Sequence, residues 1–550
     1  MKDFKKSTVY QIYPKSFYDT DGDGFGDLNG VIEKLDYLKN LGIDYIWLTP
    51  FYPSPQVDNG YDIADYYNID ESFGTLEDFE KLIKEAEARN IYIMLDMVLN
   101  HTSTEHKWFK KALIGEEKYK SFYIFKEPVN NNAPTNWKSK FGGSAWQYVE
   151  EFDEYYLHLF DKTQADLNWD NEEVRKEIYN IVNYWIEKGV KGLRFDVINL
   201  ISKPEKLEDD LEGDGRKFYT DGPKIHEYLK ELNEKTFGKH SDIITVGEMS
   251  STSLENCIRY SEPKEEELSM VFNFHHLKVD YKNQNKWELQ ECDFKSLKNI
   301  LNEWQLGMQK GNGWNAVFWC NHDQPRIVSR FGNDGKYHRE SAKMLATMIH
   351  LLKGTPYVYQ GEEIGMTNAY FTDINQYVDV ESLNYFKILK EQGIDEGEIY
   401  KVLQERSRDN SRTPMQWDAT KNAGFSEGKP WISVNSNYKE INVLNSLNDE
   451  NSIFYHYKKL ISLRKQYDVI AYGSYIPILE DNDFVFSYKR EYKNESLIVI
   501  NNFFEKEVEI KLDIEELEKY KSIITNYDER DLQSVFVLKP YESIAFLKTV

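Results

Sequence analysis

Residues 189–199 read GVKGLRFDVIN and join a short apolar strand to a pair of opposite charges. Side chains two residues apart in a strand point to the same face, so Arg194 and Asp196 share one face, and Leu193, Phe195 and Val197 share the other. An isolated Arg-x-Asp pair is most simply a structural ion pair, because buried charges usually occur in pairs. The rest of the chain decides whether this pair has a chemical role.

Seven further apolar runs of similar length flank this one, with helical patterns between them. Apolar positions repeat with helical spacing in segments 76–89 and 172–188, and Asp170 or Asn171 would cap the second. Eight strands alternating with helices predict an α/β fold, a (β/α)8 barrel, with a doubly wound sheet as the alternative. The predicted strands are residues 9–13, 43–48, 91–99, 191–198, 243–247, 269–274, 316–320 and 356–360.

Two regions interrupt this alternation. Residues 101–170 carry Asn, Pro and aromatic residues in irregular order and are too long for an ordinary connection, so we predict a small inserted domain after the third strand. From residue 472 to 550 polar and apolar residues alternate, as in FVFSYKR and SLIVINNF, which predicts a C-terminal antiparallel β-sandwich. The barrel would then comprise residues 1–100 and 171–471.

Composition limits the partners of the chain. Its 550 residues include 68 basic and 93 acidic side chains, a formal net charge of -25, which argues against nucleic acid and anionic membranes. No apolar run follows the N-terminal lysines, and no segment is long enough to cross a bilayer, so we expect a cytoplasmic protein. We also expect a monomer. Cys257, Cys292 and Cys320 lack metal-ligand spacing, which argues against zinc and a disulfide framework. We expect no organic cofactor.

Polar residues cluster where four of the predicted strands end. Three carboxylates, two histidines and an arginine on one end of a barrel are costly to desolvate without a function. Loops at the carboxyl ends of barrel strands carry the active sites of such folds. The clustered residues are Asn100, His101, Arg194, Asp196, Glu248, His322 and Asp323.

Several carboxylates without a metal or cofactor motif suit glycoside hydrolysis, in which one carboxylate attacks the anomeric carbon and a second donates a proton to the leaving oxygen. Asp196 is the candidate nucleophile, because Arg194 would keep it ionised. Glu248 is the candidate acid, its pKa raised by burial and by the neighbouring negative charge. Asp323 would hold sugar hydroxyls and distort the ring.

Residues 19–27, DTDGDGFGD, place carboxylates at alternate positions with glycines between them. Oxygen ligands in a tight turn suit a hard cation, although Gly30 stands where an EF-hand would have its twelfth-position Glu. A turn without metal is the alternative. The candidate ligands are Asp19, Asp21, Asp23, Phe25 and Asp27.

Four motifs resemble the signature regions of the α-amylase family, glycoside hydrolase family 13: LDMVLNH, GLRFDVIN, TVGEMS and CNHDQPR. This resemblance implies the same roles for the three carboxylates, places His101, Arg194 and His322 in the same subsite, and implies a structural calcium or magnesium ion in the aspartate-rich loop. The family retains anomeric configuration, which matches carboxyl groups about 5 to 5.5 Å apart.

Two further motifs are similar to those of exo-acting family members, whose substrate pocket is closed at one end. By that similarity, Asp58 in DNGYDI and Arg412 in SRTPMQW would pair across its blind end and hold one terminal glucose. Tyr61 would serve as a stacking platform. Either charge alone could form a surface ion pair of little energetic weight.

A basic segment, FNFHHLKVDY, follows the sixth predicted strand and suits recognition of a phosphate dianion. With EGDGRKFYTDGPKIHEYL and GEMSSTSLENCIRY, it resembles the branch of the family that hydrolyses trehalose 6-phosphate to glucose and glucose 6-phosphate, so the expected partner is a small phosphorylated disaccharide. The candidate phosphate ligands are His275, His276, Lys278 and Lys286, with Lys138 and Lys140 also considered.

Two other functions stay open. One is an α-1,6-glucosidase that acts on isomaltose-type oligosaccharides, which belongs to a neighbouring branch. The other is a non-catalytic, amylase-like binding module. Such modules carry a membrane anchor and tend to lose catalytic carboxylates, whereas this chain keeps all three.

Overall fold

Eight parallel strands form the centre of the computed structural model, which describes residues 2–549. Each lies within two or three residues of the limits predicted from the sequence. The predicted domain ends at Met1 and Val550 lie outside the described residues. In chain order the barrel strands are Val9–Ile12, Tyr45–Leu48, Tyr92–Val98, Gly192–Asp196, Ile244–Glu248, Met270–Phe272, Ala316–Val317 and Thr355–Tyr359.

The strands close into a ring in sequence order. The eighth strand pairs with both the first and the seventh, and a parallel bridge between Val271 and Asn315 joins the sixth strand to the segment entering the seventh. This neighbour order confirms the barrel and excludes the doubly wound sheet. The third and fourth strands pair Asp96 with Arg194 and Val98 with Asp196.

Helices surround the barrel, and the cap predicted for the helix after the inserted segment is present. The side chain of Asn171, not Asp170, accepts the backbone N–H of Glu173, and Thr75 and Asp78 form a reciprocal capping box. The α-helices are Leu28–Glu33, Leu35–Leu41, Leu76–Ala88, Lys107–Leu113, Glu117–Lys120, Glu172–Glu187, Arg216–Tyr219, Ile225–Lys235, Leu254–Ser261, Phe294–Lys310, Ile327–Arg330, His338–His350, Val380–Glu391, Glu396–Arg406, Asp409–Arg412, Val443–Leu447, Ile453–Gln466 and Asp468–Tyr472.

The segment between the third and fourth barrel strands folds beside the barrel mouth. His101–Ser103 pairs antiparallel with Gln164–Asp166, and Phe125–Lys126, Glu154–Leu157 and Trp146–Val149 form a three-stranded sheet. Trp137, Trp146 and Leu157 pack in one apolar cluster with Val197 and Leu200, which follow the fourth strand. This packing fixes the segment against the end of the barrel where the candidate residues lie. The domain limits at residues 100, 170 and 471 stay predictions.

The C-terminal region is the predicted antiparallel sandwich. Its two sheets enclose an apolar core that includes Val485, Ile500, Val508, Phe536 and Phe546. The larger sheet contains, in spatial order, Ser474–Ile478, Val485–Tyr492, Glu495–Asn502, Ser543–Thr549 and Lys521–Thr525, and the smaller one pairs Val508–Lys511 with Val535–Leu538.

Candidate active site

A cavity of about 260 Å³ opens at the carboxyl ends of the barrel strands. Its wall combines residues from the strand ends with residues from the inserted segment. The wall contains eight of the predicted site residues: Asp58, Tyr61, His101, Asp196, Glu248, Lys278, Lys286 and Asp323.

Arg194 lies behind this wall and holds three carboxyl groups. Its Nη1 donates to Asp96 Oδ1 at 2.6 Å and to Asp196 Oδ1 at 2.7 Å, and its Nη2 donates to Glu248 Oε2. The arginine is 1% exposed, so these bonds form in a desolvated setting where charge-assisted bonds are strong. The predicted pair of Arg194 and Asp196 is thus part of a four-residue cluster in which Arg194 also holds the carboxyl groups of Asp96 and Glu248.

Burial sets the protonation of these carboxyl groups. It raises the pKa of Asp196 to about 6, although Arg194 acts in the opposite direction. Burial, together with the negative charge of Asp196, raises the pKa of Glu248 to about 7. Arg194 therefore favours an ionised Asp196 as predicted, but desolvation has the larger effect. Glu248 holds its proton to the higher pH.

The pKa of Asp323 is lowered, whereas those of Asp196 and Glu248 are raised. Burial opposes its ionisation, but His322 and two arginines outweigh it and hold the pKa of Asp323 well below its usual range. Arg412 Nη2 lies 2.8 Å from Oδ1, Arg408 Nη1 lies 3.2 Å from the same oxygen, and His322 Nε2 lies 3.2 Å from Oδ2. Asp323 is therefore ionised near neutral pH and faces the cavity as a carboxylate.

The prediction that Asp58 pairs with Arg412 is wrong, because Asp58 pairs with Arg408. Arg408 Nη2 donates to Asp58 Oδ1 at 2.9 Å, and Gln164 Nε2 donates to Asp58 Oδ2 at 3.0 Å. Arg412 instead bonds Asp323. The two arginines are four residues apart at the short helix Asp409–Arg412, so both reach the same end of the barrel.

Tyr61 and the two histidines form one packed group. The rings of Tyr61 and His322 are stacked with centroids 5.0 Å apart, so His322 covers one face of the predicted sugar platform. Tyr61 Oη donates to Asp96 Oδ2 at 2.9 Å, and His101 Nε2 lies 3.1 Å from the backbone oxygen of Tyr61. Three residues predicted to bind substrate lie behind the wall and support it, each at most 1% exposed: Arg194, His322 and Arg412.

The structure corrects the prediction that His275 and His276 face the substrate. The ring of His275 packs on Trp304 with centroids 5.0 Å apart, and His276 Nε2 lies 2.9 Å from the backbone oxygen of Phe318. Burial lowers the pKa of both histidines to about 4, so they are neutral near pH 7. Packing on aromatic neighbours turns these rings away from the cavity wall.

Three lysines belong to the cavity wall instead: Lys140, Lys278 and Lys286. Lys140 Nζ donates to Ser250 Oγ at 3.0 Å, and burial with the nearby charges of Arg216 and Lys278 lowers its pKa to about 7. Lys286 Nζ lies 2.6 Å from Glu381 Oε2. Within residues 2–549, neither Lys140 nor Lys278 forms an ion pair, so both amino groups are open to an anionic ligand, whose negative charge would favour their protonated form.

The aspartate-rich loop brings three of its four carboxylates together. One oxygen each of Asp19, Asp21 and Asp27 lie within 4.8 Å of one another, which fits a hard cation. Asp23 instead accepts the backbone N–H of Phe25 at 2.7 Å. The geometry thus favours a smaller set of side-chain ligands than the sequence suggested.

A family model described as "Alpha amylase, catalytic domain" matches residues 11–473. The chain belongs to the α-amylase family. A second model, "Alpha-amylase SusG C-terminal domain", matches residues 485–545 of this α-amylase family member. Within residues 2–549, no helix has the length and apolar character needed to span a membrane.

Full-length relatives of this α-amylase family enzyme carry different names. The trehalose-6-phosphate hydrolase of Bacillus subtilis (strain 168) is 57% identical over 99% of this chain and 98% of the relative. The oligo-1,6-glucosidase of Bacillus cereus is 51% identical over 99% of both. The crystal structure of Bacillus licheniformis trehalose-6-phosphate hydrolase covers 100% of both chains with a TM-score of 0.95 and 58% identity.

Sequence reasoning missed several residues that shape this α-amylase family site. Asp96 lies within the quoted LDMVLNH motif, and its charge in an apolar strand was a usable signal. Gln164 begins the segment QADLN, residues 164–168, but an amide side chain alone gives no sequence signal for a role in the site. The role of Arg408 could not be predicted because SRDNSR contains two arginines one helical turn apart, and the sequence does not show which of them faces Asp58. Phe141 and Phe160, also in the wall, lie in the irregular inserted segment, where no periodicity predicts orientation.

Proposed function

We propose that this glycoside hydrolase converts trehalose 6-phosphate and water to glucose and glucose 6-phosphate with retention of configuration. The observation that carries the proposal is the group of three lysines in the same cavity wall as the three carboxylates. A chain with a formal net charge of -25 repels anions overall, so a phosphorylated substrate needs such a local basic group. The names of the two trehalose-6-phosphate hydrolases support the same substrate.

The unphosphorylated glucose would occupy the closed end of the cavity. Asp58, held by Arg408 and Gln164, offers carboxylate oxygens to sugar hydroxyls, and His101 borders the same region. The ionised Asp323 would accept hydroxyl hydrogens as the ring distorts. These contacts would treat phosphorylated and neutral glucosides alike.

In the first step, an oxygen of Asp196 attacks the anomeric carbon while Glu248 gives its proton to the glycosidic oxygen. The bond between the anomeric carbon and that oxygen breaks, and glucose 6-phosphate leaves with the proton. In the second step, Glu248 removes a proton from water, the water oxygen attacks the anomeric carbon, and Asp196 is released. The higher pKa of Glu248 than of Asp196 suits this division of roles.

The phosphate of the leaving sugar would lie against Lys140 and Lys278. Lys286 would join them by exchanging its bond to Glu381 for one to the phosphate. Hydrogen bonds to charged groups contribute about 1.5–3 kcal/mol each. Two such bonds predict that kcat/KM for trehalose 6-phosphate exceeds that for trehalose by about a hundredfold or more.

The competing function is cleavage of isomaltose-type α-1,6 linkages, which the relative from Bacillus cereus favours. Measuring kcat/KM for trehalose 6-phosphate, trehalose and isomaltose separates the two. We expect trehalose 6-phosphate to be the best substrate, with a kcat/KM about a hundredfold or more above that for trehalose. Preference for isomaltose would overturn the proposal and select the α-1,6-glucosidase.

We further propose a structural Ca²⁺, or Mg²⁺, bound by Asp19, Asp21 and Asp27.

We propose a cytoplasmic location, because a phosphorylated sugar does not cross membranes unaided. A monomer suffices for the proposed chemistry, because the cavity wall comes from one chain. Light scattering of the purified protein, which measures its molar mass in solution, tests whether it is a monomer.

A further inference from the structure

The side-chain amide of Asn199 joins the ends of the fourth and fifth barrel strands. Asn199 lies in the 3-10 turn Ile198–Leu200, three residues after Asp196, and is fully buried. Its Oδ1 accepts the backbone N–H of Ser250 at 2.9 Å, and its Nδ2 donates to the backbone oxygen of Ser250 at 2.9 Å. One side chain therefore fixes both backbone polar groups of a residue that follows Glu248 by two positions.

Asp221 fixes the orientation of this amide. Asp221 Oδ1 accepts from Asn199 Nδ2 at 2.9 Å, and the backbone N–H of Asp221 donates to the backbone oxygen of Asn199 at 2.9 Å. An amide whose oxygen accepts and whose nitrogen donates to separate partners has one allowed orientation. The Asp221 carboxylate is itself held by three further donors, at 2.6–2.8 Å: Thr252 Oγ1, Asn256 Nδ2 and Tyr260 Oη.

We propose that Asn199 is a positioning residue for Glu248. Asn199 fixes Ser250 against the loop that carries Asp196, and so sets the position of the Glu248 carboxyl group relative to the glycosidic oxygen. When a change at a distant residue misplaces a reacting group by about 1 Å, the rate can fall about a hundredfold. The inference rests on the proposed role of Glu248 as proton donor but does not require a phosphorylated substrate.

Two neutral substrates test this role, phenyl α-glucoside and 2,4-dinitrophenyl α-glucoside. Phenol is a poor leaving group that needs a proton from Glu248, whereas dinitrophenolate leaves without one. We expect Asn199→Ala to lower kcat/KM for the phenyl glucoside about tenfold more than for the dinitrophenyl glucoside. A matched control is Asn256→Ala, which removes another donor to the Asp221 carboxylate and is expected to leave the ratio of the two constants unchanged.

An equal loss on both substrates, or no loss on either, would overturn the proposal, because a purely structural role lowers the amount of active enzyme without regard to the leaving group. If Asn199→Ala does not fold, the same ratio measured in Asn199→Ser decides the matter. Glu248→Gln in the same assay shows whether Glu248 is the donor at all. Failure of the trehalose 6-phosphate assignment would be seen separately, because both aryl glucosides are neutral.

Discussion

Asp196 and Glu248 accept hydrogen bonds from the two terminal nitrogens of a single guanidinium group, that of Arg194. Asp96 bonds the same group, so one cation faces three buried carboxyl groups. Three buried negative charges around one positive charge favour retention of a proton. Glu248, whose pKa is raised to about 7, is the carboxyl group suited to hold it at the start of the reaction.

The first prediction concerns the pH dependence of kcat/KM, which reports ionisations of the free enzyme. As the proposed nucleophile, Asp196 must be ionised, so we expect activity to fall as the pH drops below about 6. As the proposed proton donor, Glu248 must be protonated, so we expect activity to fall as the pH rises above about 7. We expect a narrow bell-shaped profile with its maximum between these values, measured with an aryl α-glucoside.

Glu248→Gln provides the control for this profile. With 2,4-dinitrophenyl α-glucoside, whose departure needs no proton, the variant should keep the acid limb and lose the alkaline limb. An alkaline limb that persists in Glu248→Gln would assign that ionisation to another group.

The second prediction concerns Lys278, which lines the cavity and whose ammonium group is free of an ion-pair partner within residues 2–549. Lys278→Ala should raise the inhibition constant of glucose 6-phosphate about tenfold or more and leave that of glucose unchanged, because one charge-assisted bond to phosphate is lost. Lys138→Ala is the matched control, since Lys138 is an exposed lysine outside the cavity wall. Equal changes for both sugars would remove Lys278 from the phosphate site.

The third prediction separates the glucose end from the phosphate end. Arg408→Gln removes the guanidinium group that holds the carboxylates of Asp58 and Asp323, and misplacing such groups by about 1 Å can cost about a hundredfold in rate. We expect kcat/KM to fall about a hundredfold or more, by the same factor for trehalose 6-phosphate and for a neutral aryl glucoside. A loss confined to the phosphorylated substrate would place Arg408 at the phosphate instead.

The fourth prediction concerns the aspartate-rich loop. Removing the ion with a chelator should lower the Tm by several degrees, and Ca²⁺ should restore it, because a ligand bound only by the folded state stabilises it. Asp19→Asn should abolish this response. Asp23→Asn should retain it, because Asp23 lies outside the group of three converging carboxylates. A Tm that is insensitive to chelation in the unmodified protein would favour the metal-free turn.

The features that could be predicted from the sequence are those that depend on hydrophobic periodicity and on the positions where strands end. Apolar runs located all eight barrel strands, and the carboxyl-end rule brought Asp196, Glu248 and Asp323 into one wall. Contacts between distant segments were harder to predict. The choice of Arg408 over Arg412 depends on how one helical turn faces Asp58, and the orientation of His275 depends on Trp304, which lies in a following helix.

The most direct test of the account is the ratio of kcat/KM for trehalose 6-phosphate to that for trehalose, measured in the unmodified enzyme and in the double variant Lys140→Ala/Lys278→Ala. The account predicts a ratio of about a hundred or more in the unmodified enzyme. It also predicts that the ratio falls towards one in the double variant, with activity on trehalose retained. A ratio near one in the unmodified enzyme, or a ratio that the double variant leaves unchanged, would contradict it.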